Sequence, residues 1–235
     1  MFKNLISHVL VALLLLAGTA HANEAAVRKS VEAWLGGKVD SVRKTNLLGL
    51  YEVQLGSEIY YTDEKVSLLF AGNIIDTKTR ANLTQERLNK LSAIKFSDLP
   101  LELAIKQVRG DGKRVLATFE DPNCGYCKRL AKDLLKLDNV TIYVFLYPIL
   151  SEDSLRKSKQ IWCSADRAKA WNDWMVEGRA PTAKDDCDTA AITRNQEYGR
   201  RLGISGTPTM FFADGERVPG AMPLAKIEQK LSQLK

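Results

Sequence analysis

Histidine is almost missing from this chain of 235 residues, which contains only two. Both of them, His8 and His21, lie in an N-terminal segment that we expect to be removed. The remaining chain would then have no imidazole for a cysteine–histidine hydrolase, a serine–histidine–acid triad or a histidine-ligated metal site. The sequence therefore disfavours these three classes of site, and we expect neither a metal ion nor a cofactor.

Charge of one sign is not concentrated in any part of the sequence. The formal net charge is +6 at pH 7, and the chain is 45% hydrophobic and 26% charged, an ordinary composition for a globular protein. A positive charge this small and this dispersed does not predict binding to nucleic acid. We therefore expect no nucleic-acid partner.

The N-terminal segment has the pattern of a secretory signal peptide. Lys3 precedes the apolar stretch from Val9 to Ala17, and Ala20-His21-Ala22 supplies small residues at the expected cleavage positions. The apolar stretch is too short to span a bilayer. We expect residues 1–22 to be removed, leaving an exported chain that starts at Asn23 and has no transmembrane segment.

Cysteine is scarce as well, and all four cysteines lie beyond the expected cleavage point. An even number of cysteines in an exported chain favours disulfides over free thiols or metal ligands. A zinc site would usually need a second close pair, but Cys163 and Cys187 are far apart in the sequence. Two roles remain open for these two: a structural disulfide, worth roughly 3–4 kcal/mol by loop entropy, or a second redox pair. Neither cysteine has the close spacing of a redox motif, which favours the structural disulfide.

The other two cysteines form the motif Cys124-Gly125-Tyr126-Cys127. A run of strand-forming residues, 114–120, precedes the motif, and leucines at helical spacing follow it. The motif is therefore predicted at a helix N-terminus, where backbone N–H groups and the helix dipole lower a thiol pKa from about 8.5 to roughly 3.5–7.5. We expect Cys124 to be the exposed nucleophile and Cys127, one turn further in, to be the resolving thiol. An inert structural disulfide would not explain this placement.

Two domains and a connecting helix fit the pattern of the chain. The first domain, residues 23–82, is predicted to contain a helix and several short strands; the helix is expected at 24–35 and the strands at 39–45, 48–55, 58–62 and 66–71. So small a unit is marginally stable alone, which leaves two interpretations open: a dimerisation module or an independent sheet domain. Residues 83–97 are predicted to form a linker helix with a stripe of Leu88, Leu91 and Ile94.

The second domain, residues 98–235, is predicted to be a mixed sheet flanked by helices. Its strands are expected at 101–108, 114–120 and 140–147, with a final strand after Gly206-Thr207-Pro208. A helical insertion is expected at about 152–202, with Trp171, Trp174 and Met175 as a core stripe. For Glu120 and Asp121, next to the cysteine motif, the sequence leaves two roles open: active-site tuning or a solvated turn.

These motifs in combination resemble the DsbC family of periplasmic disulfide isomerases. The resemblance covers nearly the whole exported chain and rests on the small first domain, the linker helix, Asp121 three residues before Cys124-Gly125-Tyr126-Cys127, Trp162-Cys163 with its later partner Cys187, and Gly206-Thr207-Pro208. It implies a thioredoxin-like catalytic domain of α/β class, preceded by a small α+β, cystatin-like dimerisation domain.

The resemblance also implies activity and partners. The expected protein is a V-shaped periplasmic homodimer with chaperone activity, whose two sites face an apolar cleft that holds misfolded, disulfide-containing exported proteins. Cys124 would attack, Cys127 would resolve, and Pro208 would be a cis-proline beside them. Tyr126, Thr207 and Pro208 would contact the substrate, and a membrane thiol reductase of the DsbD type would supply electrons.

Three other functions stay open on the sequence. A DsbG-like isomerase or thiol reductase would share the architecture, although proteins of that type typically carry proline where Gly125 stands. A monomeric dithiol oxidase would lack the first domain. A periplasmic holdase chaperone would use none of the cysteines chemically.

Overall fold

The computed structural model describes residues 23–234. They form two compact units, which divide between Leu91 and Ser92. Within the described residues, no helix is both long and apolar enough to cross a membrane.

The N-terminal unit packs one helix against a four-stranded antiparallel sheet. Helix α1 spans residues 23–35, and its Val27 and Val31 are fully buried. The sheet has the order β1-β2-β3-β4, and its strands are Ser41–Lys44, Tyr51–Leu55, Glu58–Thr62 and Leu69–Ala71. Tyr51 and Val53 alternate along β2 to face the helix, so a small apolar core forms between the two layers.

Three of the predicted strands are longer than those observed. Residues 39–45, 48–55 and 66–71 yield only the strands β1, β2 and β4. Leu48 and Val66 have positive φ values of 50° and 56°, in the left-handed region. A residue in that region cannot continue the pleat of a strand, so β2 and β4 start only after these positions.

Helix α2, Leu83–Leu91, belongs to the N-terminal unit. Its two buried residues are polar: Thr84, whose hydroxyl is 2.8 Å from that of Tyr61, and Asn89. The helix ends at Leu91, so Ile94 cannot extend the predicted stripe, and residues 92–95 are not helical. The N–H of Ile94 instead donates to the carbonyl of Gly215 at 3.1 Å, which attaches this segment to the second unit.

The second unit has a five-stranded sheet in the order β5-β7-β6-β8-β9, whose strands are Ile105–Arg109, Val140–Leu146, Arg114–Glu120, Thr209–Phe212 and Arg217–Pro219. Only β6 and β7 are parallel, because helix α3, Gly125–Leu134, crosses over between them. The predicted strand 101–108 begins only at Ile105, since Leu101–Leu103 form a 3-10 turn after Pro100.

Helices cover both faces of this sheet. The remaining four are α4, Glu152–Trp162; α5, Arg167–Glu177; α6, Ala190–Arg201; and α7, Leu224–Gln233. In the core, the ring of Phe119 on β6 stacks on Phe145 of β7 with centroids 4.6 Å apart. Trp171 and Met175 of α5 are buried as predicted, whereas Trp174 is only half-buried.

The attachment of Ile94 at Gly215 generates a stability prediction. Gly215 has a φ of +81°, and a Cβ there would lie 1.6 Å from the Ile94 carbonyl oxygen. Gly203 has a similar φ of +65° but open space around it. We expect Gly203→Ala to lower the free energy of unfolding by about 1–2 kcal/mol, the cost of the left-handed backbone. Gly215→Ala should cost more than about 3 kcal/mol, because the backbone must also move.

Urea unfolding of the two variants measures this difference. If Gly203→Ala and Gly215→Ala lowered the free energy of unfolding by the same amount, the close approach of Ile94 to Gly215 would not constrain the fold.

Candidate active site

The segment after strand β6 is held by the buried carboxylate of Asp121. This side chain is fully buried, and one of its oxygens accepts the N–H groups of Ile149 and Leu150 at 2.8 and 3.0 Å. Its other oxygen accepts the N–H of Asn123 at 2.8 Å. Asp121 is therefore not part of a solvated turn, since it fixes the backbone that leads into the cysteine motif.

The helical insertion holds the same segment from another side. The indole N–H of Trp174 donates to the Pro122 carbonyl at 2.6 Å. The ammonium groups of Lys128 and Lys157 lie 4.2 and 4.7 Å from the centroid of the Trp174 ring, within the range of cation–π attraction. The sequence did not point to this contact, because tryptophan at helical spacing predicts only a core position.

Cys124 is the N-cap residue of helix α3. Its backbone is extended, with φ −74° and ψ 119°, and its sulfur accepts the N–H of Cys127 at 3.3 Å. The Sγ atom also lies 3.3 Å from the carbonyl oxygen of Thr207. Cys124 is only 6% exposed, so the expectation of an exposed nucleophile is wrong in degree: the Thr207 segment lies against the sulfur.

Hydrogen bonds at this helix N-terminus stabilise a thiolate on Cys124. They lower its pKa to about 5, and the largest contribution is the hydrogen bond from the Cys127 thiol. Burial opposes the effect, while the Thr207 side chain and the N–H groups of Cys127 and Tyr126 add to it. The Thr207 hydroxyl oxygen is buried and has no other partner among the described residues, so it is free to donate to the thiolate.

The pKa of the Cys127 thiol is raised, whereas that of Cys124 is lowered. Cys127 is fully buried, and burial is the main cause that raises the pKa of its thiol. Its hydrogen bond to Cys124 and the nearby carboxyl of Glu120 raise this pKa further. The pair therefore holds one thiolate, on Cys124, next to one protonated thiol.

The other predicted site residues lie around the sulfur of Cys124. The Thr207–Pro208 peptide bond is cis, and Pro208 is buried. Tyr126 is 61% exposed in the first turn of α3, and the Arg129 guanidinium lies 4.5 Å from the centroid of its ring. Tyr126 is thus the large apolar side chain of this helix turn that faces solvent.

Cys163 and Cys187 are joined to each other, with an S–S distance of 2.00 Å. The bond links the end of α4 to the segment before α6, which the indole N–H of Trp162 also contacts through the carbonyl of Asp188 at 3.1 Å. Cys124 and Cys127 are free thiols. No group of potential metal ligands occurs among residues 23–234.

Glu120 is, with Asp121, one of the two residues whose role the sequence left open. It is fully buried at the end of β6, and burial raises its pKa to about 8, with a smaller contribution from the charge of Cys124. An acidic residue that follows the strand-forming run Val115–Phe119 was the available signal, since a strand buried on both faces leaves its last residue little access to water.

Comparison with known proteins agrees with the fold. Residues 101–235 match the sequence profile of a thioredoxin-like domain, and residues 18–85 match that of the disulfide bond isomerase protein N-terminal domain. The prediction of a thioredoxin-like domain preceded by a DsbC-type N-terminal domain is thereby confirmed.

Individual relatives of this chain are thiol:disulfide interchange proteins. The chain is 50% identical to a probable thiol:disulfide interchange protein DsbC of Bordetella pertussis, over 88% of this chain and 74% of that protein. It is 27% identical to the thiol:disulfide interchange protein DsbC of Escherichia coli, over 92% of this chain and 91% of that one.

Solved structures share the fold over part of this chain. A disulfide interchange protein from Neisseria gonorrhoeae is 40% identical, with a TM-score of 0.55 over 57% of this chain and 97% of that one. The thiol-disulfide exchange protein alpha-DsbA2 from Wolbachia pipientis is 19% identical, with a TM-score of 0.52 over 66% of this chain and 100% of that one, and shares only the fold.

The geometry predicts how Cys124 titrates. Alkylation of the reduced protein by iodoacetamide at Cys124 should reach half its maximal rate near pH 5, because the thiolate is the reactive form. Cys127→Ala removes the main hydrogen-bond donor and should move this midpoint to higher pH. Rates can be followed by mass spectrometry of the modified peptide. A wild-type midpoint above pH 8, or no shift in the variant, would contradict the assignment of that donor.

Proposed function

Since the chain belongs to the DsbC family of thiol:disulfide interchange proteins, we propose that it is a disulfide isomerase that reshuffles wrong disulfides in exported proteins. The observation that carries the proposal is the lone thiolate of Cys124 beside the protonated thiol of Cys127. An anionic sulfur at a helix N-terminus attacks disulfides readily, and its low pKa also makes it a good leaving group. Both properties are needed for repeated exchange.

The proposed cycle begins when the Cys124 thiolate attacks one sulfur of a client disulfide. A bond forms between Cys124 and that sulfur, and the second client sulfur leaves as a thiolate. Another client thiolate can then attack the mixed disulfide, which creates a new client disulfide and restores the Cys124 thiolate. No net oxidation occurs in this route. If Cys127 attacks Cys124 instead, the client leaves reduced and the enzyme becomes oxidised.

Residues around Cys124 suit binding of an extended client segment. We assign this role to Tyr126, Thr207 and Pro208, as predicted. Tyr126 offers an exposed aromatic surface in the same helix turn as the thiolate, and the Thr207 backbone lies against the sulfur itself. Backbone and aromatic contacts of this kind need little side-chain complementarity, which fits an enzyme with many clients.

The cycle requires Cys124 to be reduced in an oxidising compartment. We assign the protein to the periplasm of a Gram-negative bacterium, with residues 1–22 as a cleaved signal peptide; these residues lie outside the described part of the chain. A membrane thiol reductase of the DsbD type would return the Cys124–Cys127 disulfide to the dithiol by supplying two electrons and two protons.

We further propose that the N-terminal unit, which matches the disulfide bond isomerase N-terminal domain, forms a homodimer. Strand β4 lies at the edge of its sheet and pairs only with β3 among the described residues. Three large apolar side chains near this edge are about half exposed or more: Leu68, Phe70 and Ile75. An open strand edge with exposed apolar side chains favours pairing with a second chain.

Two other functions remain as alternatives. A DsbG-like reductase or isomerase would use the same thiols, but Gly125 differs from the proline typical of that type. A holdase chaperone would need only an apolar surface, and chaperone activity can accompany isomerisation. The chemistry of Cys124 separates the isomerase from the holdase.

Refolding of scrambled ribonuclease A with a trace of reduced glutathione tests the catalytic role. The wild type should restore ribonuclease activity many-fold faster than buffer, and Cys124→Ala should lose this acceleration. Cys127→Ala should keep part of it but accumulate mixed disulfides with the client, visible on non-reducing gels. The double variant Cys163→Ser/Cys187→Ser, which keeps the reactive pair, is the matched control and should stay active below its unfolding temperature. Unchanged refolding with Cys124→Ala would favour the holdase.

The dimer prediction is tested at strand β4. Phe70→Asp places a charge at the exposed apolar edge and should convert the dimer into a monomer in light scattering, because a buried unpaired charge is costly. Ser57→Asp adds the same charge at the exposed turn between β2 and β3 and should leave the dimer intact. A monomeric wild type, or a dimeric Phe70→Asp variant, would place the interface elsewhere or remove it.

A further inference from the structure

Helix α3 has a row of exposed residues on the face that is turned away from the core. Its buried residues are Cys127, Leu130, Ala131 and Leu134. Gly125, Arg129 and Lys132 are exposed, and their spacing of four and three residues puts them on one face of the helix. We call these three residues the basic face of α3; it begins directly after Cys124.

The two cations of the basic face have no acidic partner within the described part of the chain. Lys136, one turn beyond Lys132, pairs with Asp133 at 2.7 Å. Arg129 forms no such bridge, and its guanidinium lies 4.5 Å from the centroid of the exposed Tyr126 ring. An aromatic ring attracts a cation without neutralising its charge. Both charges of the basic face are therefore available to another molecule.

The helix itself explains only one of these charges. Lys132 lies in the last turn of α3, where the helix dipole favours a cation. Arg129 lies in the middle of the helix, beyond the reach of that effect. The hydrogen bonds that lower the pKa of Cys124 come from its immediate neighbours, so Arg129 is not needed for the thiolate either. The charge of Arg129 therefore calls for another role.

Two carboxylates near the cysteine motif have partners of their own. Asp121 is buried and accepts three backbone N–H groups. Asp153 accepts the side-chain N–H of Asn123 at 2.8 Å and pairs with Lys157. Neither carboxylate pairs with a cation of the basic face, so the exposed side of α3 stays positively charged next to Cys124.

A client segment bound at Cys124 can reach the basic face. A Cβ atom at Gly125 would meet no atom within 4 Å, so the first position of this face is open. Arg129 and Lys132 lie about 8 and 12 Å beyond Cys124 along the helix axis, at about 1.5 Å of rise per residue. An extended chain covers that distance in roughly two to four residues. Side chains a few positions from the client's cysteine therefore fall opposite the two cations.

We propose that Arg129 and Lys132 bind acidic side chains close to the client's cysteine, so that Cys124 attacks disulfides in acidic segments faster than disulfides in basic segments. A guanidinium can form two parallel hydrogen bonds with a carboxylate, which suits Arg129 to this contact. The bonds exchanged are those of the proposed cycle: Cys124 bonds to one client sulfur, and the other sulfur leaves as a thiolate. The basic face thus selects among clients and leaves the exchange step unchanged.

This inference rests on the proposed exchange chemistry, and one set of three peptides tests it. Each peptide has a single cysteine, activated as a mixed disulfide with 2-thiopyridine, and the peptides differ only in the residues flanking that cysteine, which are Asp, Asn or Lys. Attack of the Cys124 thiolate on the peptide sulfur releases 2-thiopyridone, whose absorbance gives the rate constant. With the simple thiol 2-mercaptoethanol, the acidic peptide should react slowest, because its charges repel a thiolate.

The reduced wild-type protein should reverse this order. The acidic peptide should react at least about tenfold faster than the basic one at low salt, within the range of electrostatic steering. The preference should fall to about twofold or less near 1 M salt, where the screening length is about 3 Å. Equal rates for the three peptides, or a preference for the basic one, would overturn the inference. Absence of reaction with all three would instead count against the proposed function.

Two charge reversals locate the preference. Arg129→Glu should lower the ratio of the acidic to the basic rate at least about fivefold. Lys113→Glu makes the same change of net charge at the exposed turn before β6, at the other end of that strand from Cys124, and should keep the ratio within about twofold of wild type. A general change in the reactivity of Cys124 would alter all three rates by one factor and leave the ratio unchanged. Equal effects of the two reversals would assign the preference to net charge and overturn the role of the basic face.

Discussion

Of the three ionisable groups Cys124, Cys127 and Glu120 at the carboxyl end of strand β6, only Cys124 is held as an anion, and the chemistry of the site depends on that constraint. Cys124, Cys127 and Glu120 are all nearly or fully buried there. The thiolate of Cys124 accepts hydrogen bonds from the Cys127 thiol, from backbone N–H groups and from the Thr207 side chain. A second anion, on Cys127 or Glu120, would be buried away from water and would be repelled by the first. Cys127 and Glu120 therefore keep their protons while Cys124 is a thiolate.

The fold meets this constraint through anchors that lie outside the cysteine motif. Strand β6 is paired on both sides, with β7 and β8, so its end is fixed within the sheet. Beyond it, the Asp121 carboxylate holds the chain to the segment after β7, and the Trp174 indole holds Pro122 from the helical insertion. The disulfide of Cys163 and Cys187 ties that insertion together near α4. The helix N-terminus is thus presented by a rigid frame.

Local sequence patterns are sufficient to predict most helices and strands and the reactive cysteine pair. The signals used were runs of strand-forming residues, leucines at helical spacing and the turn before Cys124, and each of them extends over only a few residues. These patterns failed for features that depend on residues distant in the sequence or on an unusual backbone conformation. Leu48 and Val66 adopt left-handed φ values that no composition rule signals at such residues. Glu120 is buried because α3 and α5 pack beside it, and local sequence patterns do not predict how these helices pack on the sheet. The contact of the Trp174 indole with Pro122 also depends on the packing of α5 and could not be predicted for the same reason.

The unequal acidities of the two thiols also bear on which exchange prevails. A leaving thiolate of low pKa departs easily, so a client thiolate that attacks the mixed disulfide can displace Cys124 without help. Resolution by Cys127 must first remove a proton that burial holds tightly. In the proposed cycle, this slow step would let client sulfurs compete with Cys127 for the mixed disulfide. Under the proposed exchange chemistry, the depth of Cys127 therefore favours isomerisation over simple reduction.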